Sequence, residues 1–354
     1  MTDDGEGARP DMPADESALP STAAPSQSFV RKYGGRLWKW SLFALVMVFV
    51  VTRGRSLWLR DGDAIRATEW DGRWLFAAAG AYALGWLPSV WFWRKMMKRL
   101  GRQLSYRDTA RAYYCGHLGK YVPGKASVVV IRAALIKQRG YRAAPAALTV
   151  TYETLVLMGA GLAVAVALGP WLIRDAKTES LPGWVRSAAA IPWLAPLTVV
   201  VLCVALLPAV SWLFSLVAEK MTPPDLLESQ ERVRFEPSLL ASGLLAFVAG
   251  WFLHGLSLGC TLRAVTGQPF DIADWPVWTA ATSLATSVGF LAIFAPGGLG
   301  VREGLLFESL SIQPGISASQ AIVAAVFLRL VWFVTEIVVA GVLYYAVRER
   351  EIKH

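Results

Sequence analysis

Two short motifs combine backbone-breaking residues with charge inside apolar sequence, and both could hold an anion. The first is Lys120-Tyr121-Val122-Pro123-Gly124-Lys125, with Arg132 two turns further on. Proline removes a backbone donor and glycine permits reversal, so the chain can turn here and present the N–H groups of the following half-helix to a ligand. Lys120, Lys125 and Arg132 add positive charge suited to a lipid phosphate. The bland alternative is an interfacial loop whose lysines snorkel to headgroups. The second motif is Pro296-Gly297-Gly298-Leu299-Gly300-Val301-Arg302-Glu303-Gly304. Its glycines allow close backbone approach, and Glu303 suits the positive end of the returning half-helix. The alternative is a glycine-rich turn with a structural Arg–Glu pair.

Three further ionisable residues, Glu153, Arg329 and Glu336, interrupt otherwise apolar stretches. A charge at the centre of a bilayer costs at least about 2.5–3.5 kcal/mol, so such residues pair or line a wet cavity. Arg329 and Glu336 are seven residues apart and seek partners on other helices. Glu153 with Arg329 or Arg302 with Glu336 are two pairings between which the sequence does not choose, as a charged or proton-coupled pathway or as interhelical glue.

The elements that position these groups are membrane helices. Of 354 residues, 55% are hydrophobic and 17% charged, and the apolar excess falls in long blocks. A 30 Å hydrocarbon core needs about 20 helical residues. Six stretches meet that: Trp38–Leu59, Trp74–Trp93, Ala143–Gly169, Ala188–Val217, Leu239–Leu262 and Ala318–Val347. The fourth, with Pro192, Pro196 and Pro208, is expected to kink or to follow an interfacial segment. Tyr113–Lys137 and Trp275–Ile312 are apolar but broken by the two motifs. Residues 1–28, with six acidic side chains among Pro, Ser and Ala, read as a disordered acidic tail, and 348–354 as a basic C-terminus.

Lys/Arg bias sets orientation. Arg31, Lys32, Arg36 and Lys39 put the N-terminus in the cytoplasm, and the basic run Arg94 to Arg111 does the same for that loop. Both flanks of Tyr113–Lys137 are then cytoplasmic, so this segment enters the membrane and returns. A cytoplasmic C-terminus requires Trp275–Ile312 to do likewise from outside. The fold class is therefore all-α: a polytopic integral membrane protein of about six full spans plus two re-entrant Pro/Gly-broken hairpins of opposite orientation. That arrangement is an inverted repeat, which places a substrate site near the midplane.

The net charge of +9 is expected on cytoplasmic loops, and no basic domain outside the apolar blocks suggests nucleic acid. Cys115, Cys203, Cys260 and the three histidines form no metal or disulfide pattern. Asp61-Gly62-Asp63 reads as a turn, His254 as a bonded core histidine, and Trp86, Trp91 and Trp93 as lipid- or interface-facing aromatics. No P-loop, nucleophile elbow or HExxH is present. No cofactor is called for, and the expectation is a transporter rather than an enzyme.

At Lys120–Lys125 and Pro296–Gly304, with Glu153 at an intramembrane acid position, the chain resembles the lysylphosphatidylglycerol synthase transmembrane family, a flippase-like domain. The resemblance covers residues 35–347. It implies movement of an anionic, aminoacylated or isoprenoid-linked lipid between leaflets of the bacterial plasma (inner) membrane. Two departures, Ala126-Ser127 after the first motif and Thr154 after Glu153, leave the substrate open. The site residues expected on this basis are Lys120, Tyr121, Pro123, Gly124, Lys125, Arg132, Glu153, Pro296, Gly297, Gly298, Gly300, Arg302, Glu303, Arg329 and Glu336. Expected partners are a membrane phospholipid or isoprenoid-linked lipid. The rival readings are an accessory subunit of an envelope synthase and a lipid-linked transferase.

Overall fold

The computed structural model describes residues 55, 69–99, 103–121, 126–137, 143–177, 189–221, 236–291, 298 and 300–348. The expected N-terminal tail, the first span and Asp61-Gly62-Asp63 lie outside the described residues, apart from Arg55. So do Pro123, Gly124, Lys125, Pro296 and Gly297. All regular structure among the described residues is helical. The chain is an all-α, polytopic membrane protein.

In chain order the helices are α1 (Gly72–Gly85), α2 (Leu87–Arg99), α3 (Tyr106–His117), α4 (Ala126–Lys137), α5 (Ala143–Arg174), α6 (Leu194–Met221), α7 (Pro237–Thr266), α8 (Trp275–Leu291), α9 (Val301–Ser311) and α10 (Ala318–Arg348). Five stretches are long and apolar enough to cross a membrane: Gly72–Arg99, Ala147–Arg174, Leu194–Leu216, Pro237–Thr266 and Ala318–Ala346. They coincide with the last five of the six stretches read from sequence.

Local chemistry sets the ends. The Asp71 carboxylate accepts from the Arg73 N–H at 2.9 Å and starts α1. Pro88 cannot donate to the helical ladder, and the span Gly72–Arg99 breaks at Trp86 into α1 and α2. Ser105 caps α3 by accepting from the Asp108 N–H at 3.1 Å. Gly267, with φ of 69°, closes α7 in the left-handed conformation. A break at Ile191–Trp193, where Pro192 lies, precedes α6.

Each broken segment is a pair of half-helices. The first is α3, a 3₁₀ turn over Leu118–Tyr121, and α4; the second is α8 and α9. Their packing is crossed. α3 lies on α10 and α4 on α5, whereas α8 lies on α5 and α9 on α10. Each hairpin thus contacts the span that follows it and the span that follows the other hairpin. The sets α3–α5 and α8–α10 repeat one contact scheme.

α1 and α7 meet backbone to backbone at Gly85 and Gly250. A Cβ added to Gly250 would lie 2.8 Å from the Gly85 carbonyl oxygen, and one on Gly85 would strike the His254 ring. Gly250→Val is expected to force the helices apart at a cost of about 1–3 kcal/mol, the usual penalty of overpacking. A lowered midpoint of thermal unfolding in detergent, against an unchanged midpoint for Gly80→Ala at an open site, checks it.

Two aromatic assignments are corrected. Trp91 is exposed as expected, but Trp86 and Trp93 are buried, the latter donating its indole N–H to Thr149 Oγ1 at 3.1 Å. Trp278 is also buried and packs on Gly259. In each case a neighbouring helix carries a small or polar residue that accepts the ring.

Candidate functional site

Between the two hairpins lies a cavity of about 450 Å³. Its wall takes Tyr82 from α1, Trp86 from the break between α1 and α2, His117 and Lys120 from the first hairpin, Arg132 from α4 and Glu153 from α5. Trp251 and His254 of α7, Thr286 and Gly289 of α8, Gly298, Arg302 of α9 and Trp332 of α10 complete it. Both charged motifs of the sequence therefore face one space, although they stand about 180 positions apart.

Three ion pairs border it. Arg132 and Glu153, both buried, are bonded to one another, and Tyr113 donates its hydroxyl to Glu153 Oε1 at 2.6 Å. The Arg132 guanidinium also lies 3.8 Å from the centre of the Tyr113 ring. Lys120 Nζ is 2.5 Å from Glu336 Oε1, which also accepts from the Tyr82 hydroxyl, with His117 Nε2 at 3.7 Å. Arg329 Nε stands 3.6 Å from Glu303 Oε1, while Glu303 Oε2 accepts the Gly300 N–H at 2.7 Å and caps α9. Tyr121 sits edge-on to Phe333, with the Lys120 ammonium 5.1 Å from its ring centre.

Neither of the two pairings that the sequence left open forms. Glu153 takes Arg132 rather than Arg329, because α4 packs directly along α5. Glu336 takes Lys120 rather than Arg302, because the first hairpin lies on α10.

Arg302 differs from the other cations. It is 8% exposed, and its guanidinium lies 4.2 Å from the centre of the Trp332 ring. Among the described residues it has no carboxylate within ion-pair distance and no hydrogen bond. Trp332 is itself held by stacking on Tyr82, at 4.2 Å between ring centres, and by donating to Ser257 Oγ at 3.0 Å. A cation–π contact contributes about 0.5–2 kcal/mol, less than the cost of removing a guanidinium from water. The wall carries two internally neutralised pairs and one cation whose charge is unmatched, so the space favours an anion.

Gly298 and Gly300 shape the turn that presents Arg302. Gly298 has φ of 72° and packs on α8, where an added Cβ would lie 2.9 Å from the Gly289 carbonyl oxygen. Gly300, with φ of 86°, precedes α9. Both conformations suit glycine, and the Gly298 contact also excludes a side chain.

Of the expected site residues, Lys120, Arg132, Glu153, Gly298 and Arg302 line the cavity. Glu336 backs it through Lys120, and Tyr121, Gly300, Glu303 and Arg329 form the layer behind. Sequence reasoning missed the aromatic lining: Tyr82, Trp86, Trp251 and Trp332. It also missed His117, whose ring centre is 4.1 Å from that of Trp86. His254 is buried as expected of a core histidine, but its Nε2 has no hydrogen-bond partner among the described residues and it lines the cavity. The position of His117, three residues before Lys120 in the first motif, was the signal available.

The family model described as Lysylphosphatidylglycerol synthase TM region matches residues 36–340. No curated protein and no solved structure matches the chain.

Proposed function

We propose that this chain, which belongs to the lysylphosphatidylglycerol synthase TM region family, moves an anionic lipid between the leaflets of the bacterial plasma membrane without making or breaking a covalent bond. The observation that carries the reading is Arg302, buried at the cavity wall with no anionic partner among the described residues. An uncompensated cation in an apolar setting costs stability, and it is retained where a ligand supplies the counter-charge.

The headgroup phosphate binds Arg302 by the paired N–H geometry that guanidinium offers. Lys120 and Arg132 lie on the same wall but are engaged with Glu336 and Glu153, and they add field rather than free charge. The aromatic rings beside them give the polar headgroup an apolar surround, and the acyl chains stay in lipid. Both termini are cytoplasmic in this reading, and the two hairpin-bearing halves expose the cavity alternately.

Leaflet exchange in proteoliposomes tests this. The purified chain is expected to accelerate exchange of fluorescent phosphatidylglycerol over empty vesicles, and to do so more than for fluorescent phosphatidylcholine. Folded protein that accelerates neither, or both equally, would overturn the anionic-lipid reading.

A further inference from the structure

Two sets of polar atoms have no part in holding a phosphate. The first lies on α8. Thr279, Thr282 and Ser287 are buried, Thr286 is half-buried, and none of the four hydroxyl oxygens has a hydrogen-bond partner among the described residues. Elsewhere in the spans hydroxyls satisfy themselves on the carbonyl four residues back: Thr154 on Val150 at 2.8 Å, Thr261 on Ser257 at 2.8 Å and Thr335 on Val331 at 2.6 Å. That local bond is open to any threonine in a helix. These four hydroxyls of α8 forgo it, whereas Ser283 on the same helix donates to the Ala280 carbonyl at 3.2 Å.

Thr279, Thr282 and Thr286 follow at spacings of three and four, so they line one face of α8 over about 10 Å of helix. Thr286 stands in the cavity wall. Thr279 is one turn from Trp275 at the start of α8, and its hydroxyl faces Gly255 of α7, next to His254. The stripe thus runs from the end of the half-helix to the site.

The second set waits at the cavity. His254 Nε2, His117 Nε2 and Glu336 Oε2 are enclosed and have no hydrogen-bond partner among the described residues. An enclosed polar atom left unbonded costs about 1–3 kcal/mol. Hydroxyls and imidazoles each donate and accept, the property a relay through water requires.

From this geometry we infer that translocation is coupled to protons: a file of hydroxyls along Thr279, Thr282 and Thr286 delivers H⁺ through His254 and His117 to Glu336. The inference rests on the anionic-lipid reading above. In the transfer a hydronium ion gives its proton to Glu336 Oε2 and becomes water, while the carboxylate becomes a neutral carboxylic acid. Lys120 then loses its anionic partner and turns its full charge to the cavity beside Arg302. Glu336 is faced by Tyr82 from α1, His117 from α3, and Lys120 and Tyr121 from the 3₁₀ turn, and the charges of Arg302 on α9 and Arg329 on α10 act on Lys120 and Tyr121 beside it. His254 of α7 completes the surround.

The coupling is reciprocal. A proton on Glu336 strengthens the hold on an anionic headgroup, and the headgroup favours the proton by the same factor. One proton travels with one monoanionic headgroup, so no net charge crosses. The transporter responds to a pH gradient and not to membrane potential.

The test uses the full chain in phosphatidylcholine vesicles with fluorescent phosphatidylglycerol as probe, an internal pH dye, and potential clamped by potassium and an ionophore. A gradient of one pH unit is expected to drive the probe to about tenfold asymmetry between leaflets, with concurrent proton movement. A potential of equal driving force at uniform pH is expected to drive none. Thr279→Val with Thr282→Val conserves shape and lies outside the headgroup wall. It is expected to keep downhill exchange and lose the pH-driven asymmetry. Exchange that ignores the pH gradient, or follows potential, overturns the coupling and leaves the translocation reading standing. Proton movement without probe exchange, lost in the threonine pair, overturns translocation of this lipid and retains the proton path. Folded protein that supports neither overturns both.

Discussion

Arg302→Leu is expected to lower protein-mediated exchange of anionic lipid by about 10- to 100-fold while leaving thermal stability unchanged or raised. The magnitude follows from losing hydrogen bonds between two charged groups, each contributing about 1.5–3 kcal/mol. The stability half follows from the structure. Arg302 is buried with a ring beneath it and no carboxylate beside it among the described residues. Its removal relieves desolvation at the loss of a cation–π contact of about 0.5–2 kcal/mol. Residues that serve a ligand are commonly those a protein would be more stable without. Arg302→Lys keeps the charge without the paired geometry and is expected to fall between. Exchange rates in proteoliposomes and unfolding midpoints in detergent are the two measurements. A variant that loses stability and activity in step would make Arg302 a structural residue and remove the main support for the anion site.

Arg132→Met should do the opposite, unfolding the protein or destabilising it by about 3–5 kcal/mol, the cost of leaving one member of a buried ion pair behind. The abandoned group is Glu153, 1% exposed on α5, with only the Tyr113 hydroxyl still bonded to it. Arg132→Met combined with Glu153→Gln removes both charges and is expected to recover most of the loss, since glutamine can still accept from Tyr113. A double-mutant cycle on unfolding midpoints reads the coupling. If the double variant is no more stable than Arg132→Met, the pair is not what holds α4 against α5. Arg132 and Arg302 thus face the same cavity with contrary expected effects, one holding the fold and the other holding a ligand.

The different histories of these residues explain what could be read in the sequence. Blocks of apolar residues announced the five described spans because length in a bilayer is a one-dimensional property. Arg302 and Glu153 drew attention because charge is rare in such surroundings. Partners were another matter. Lys120 meets Glu336 across 216 positions and nothing local signals it. The inward-facing rings were illegible for a physical reason. A helix in lipid is apolar on both its buried and its outer faces, so hydropathy cannot separate them. Trp86 and Trp91 stand five residues apart in one apolar run, yet one is 7% and the other 40% exposed.

The crossed packing of the hairpins also governs how the chain is made. Lys120 emerges long before Glu336, and at about 5–20 residues per second the ribosome takes roughly 10–40 s to supply the missing carboxylate. Throughout that interval the basic hairpin must stay at the headgroup level or borrow another counter-ion. The final seating of α3 on α10 is therefore a late event of biogenesis, gated by the emergence of α10 from the ribosome.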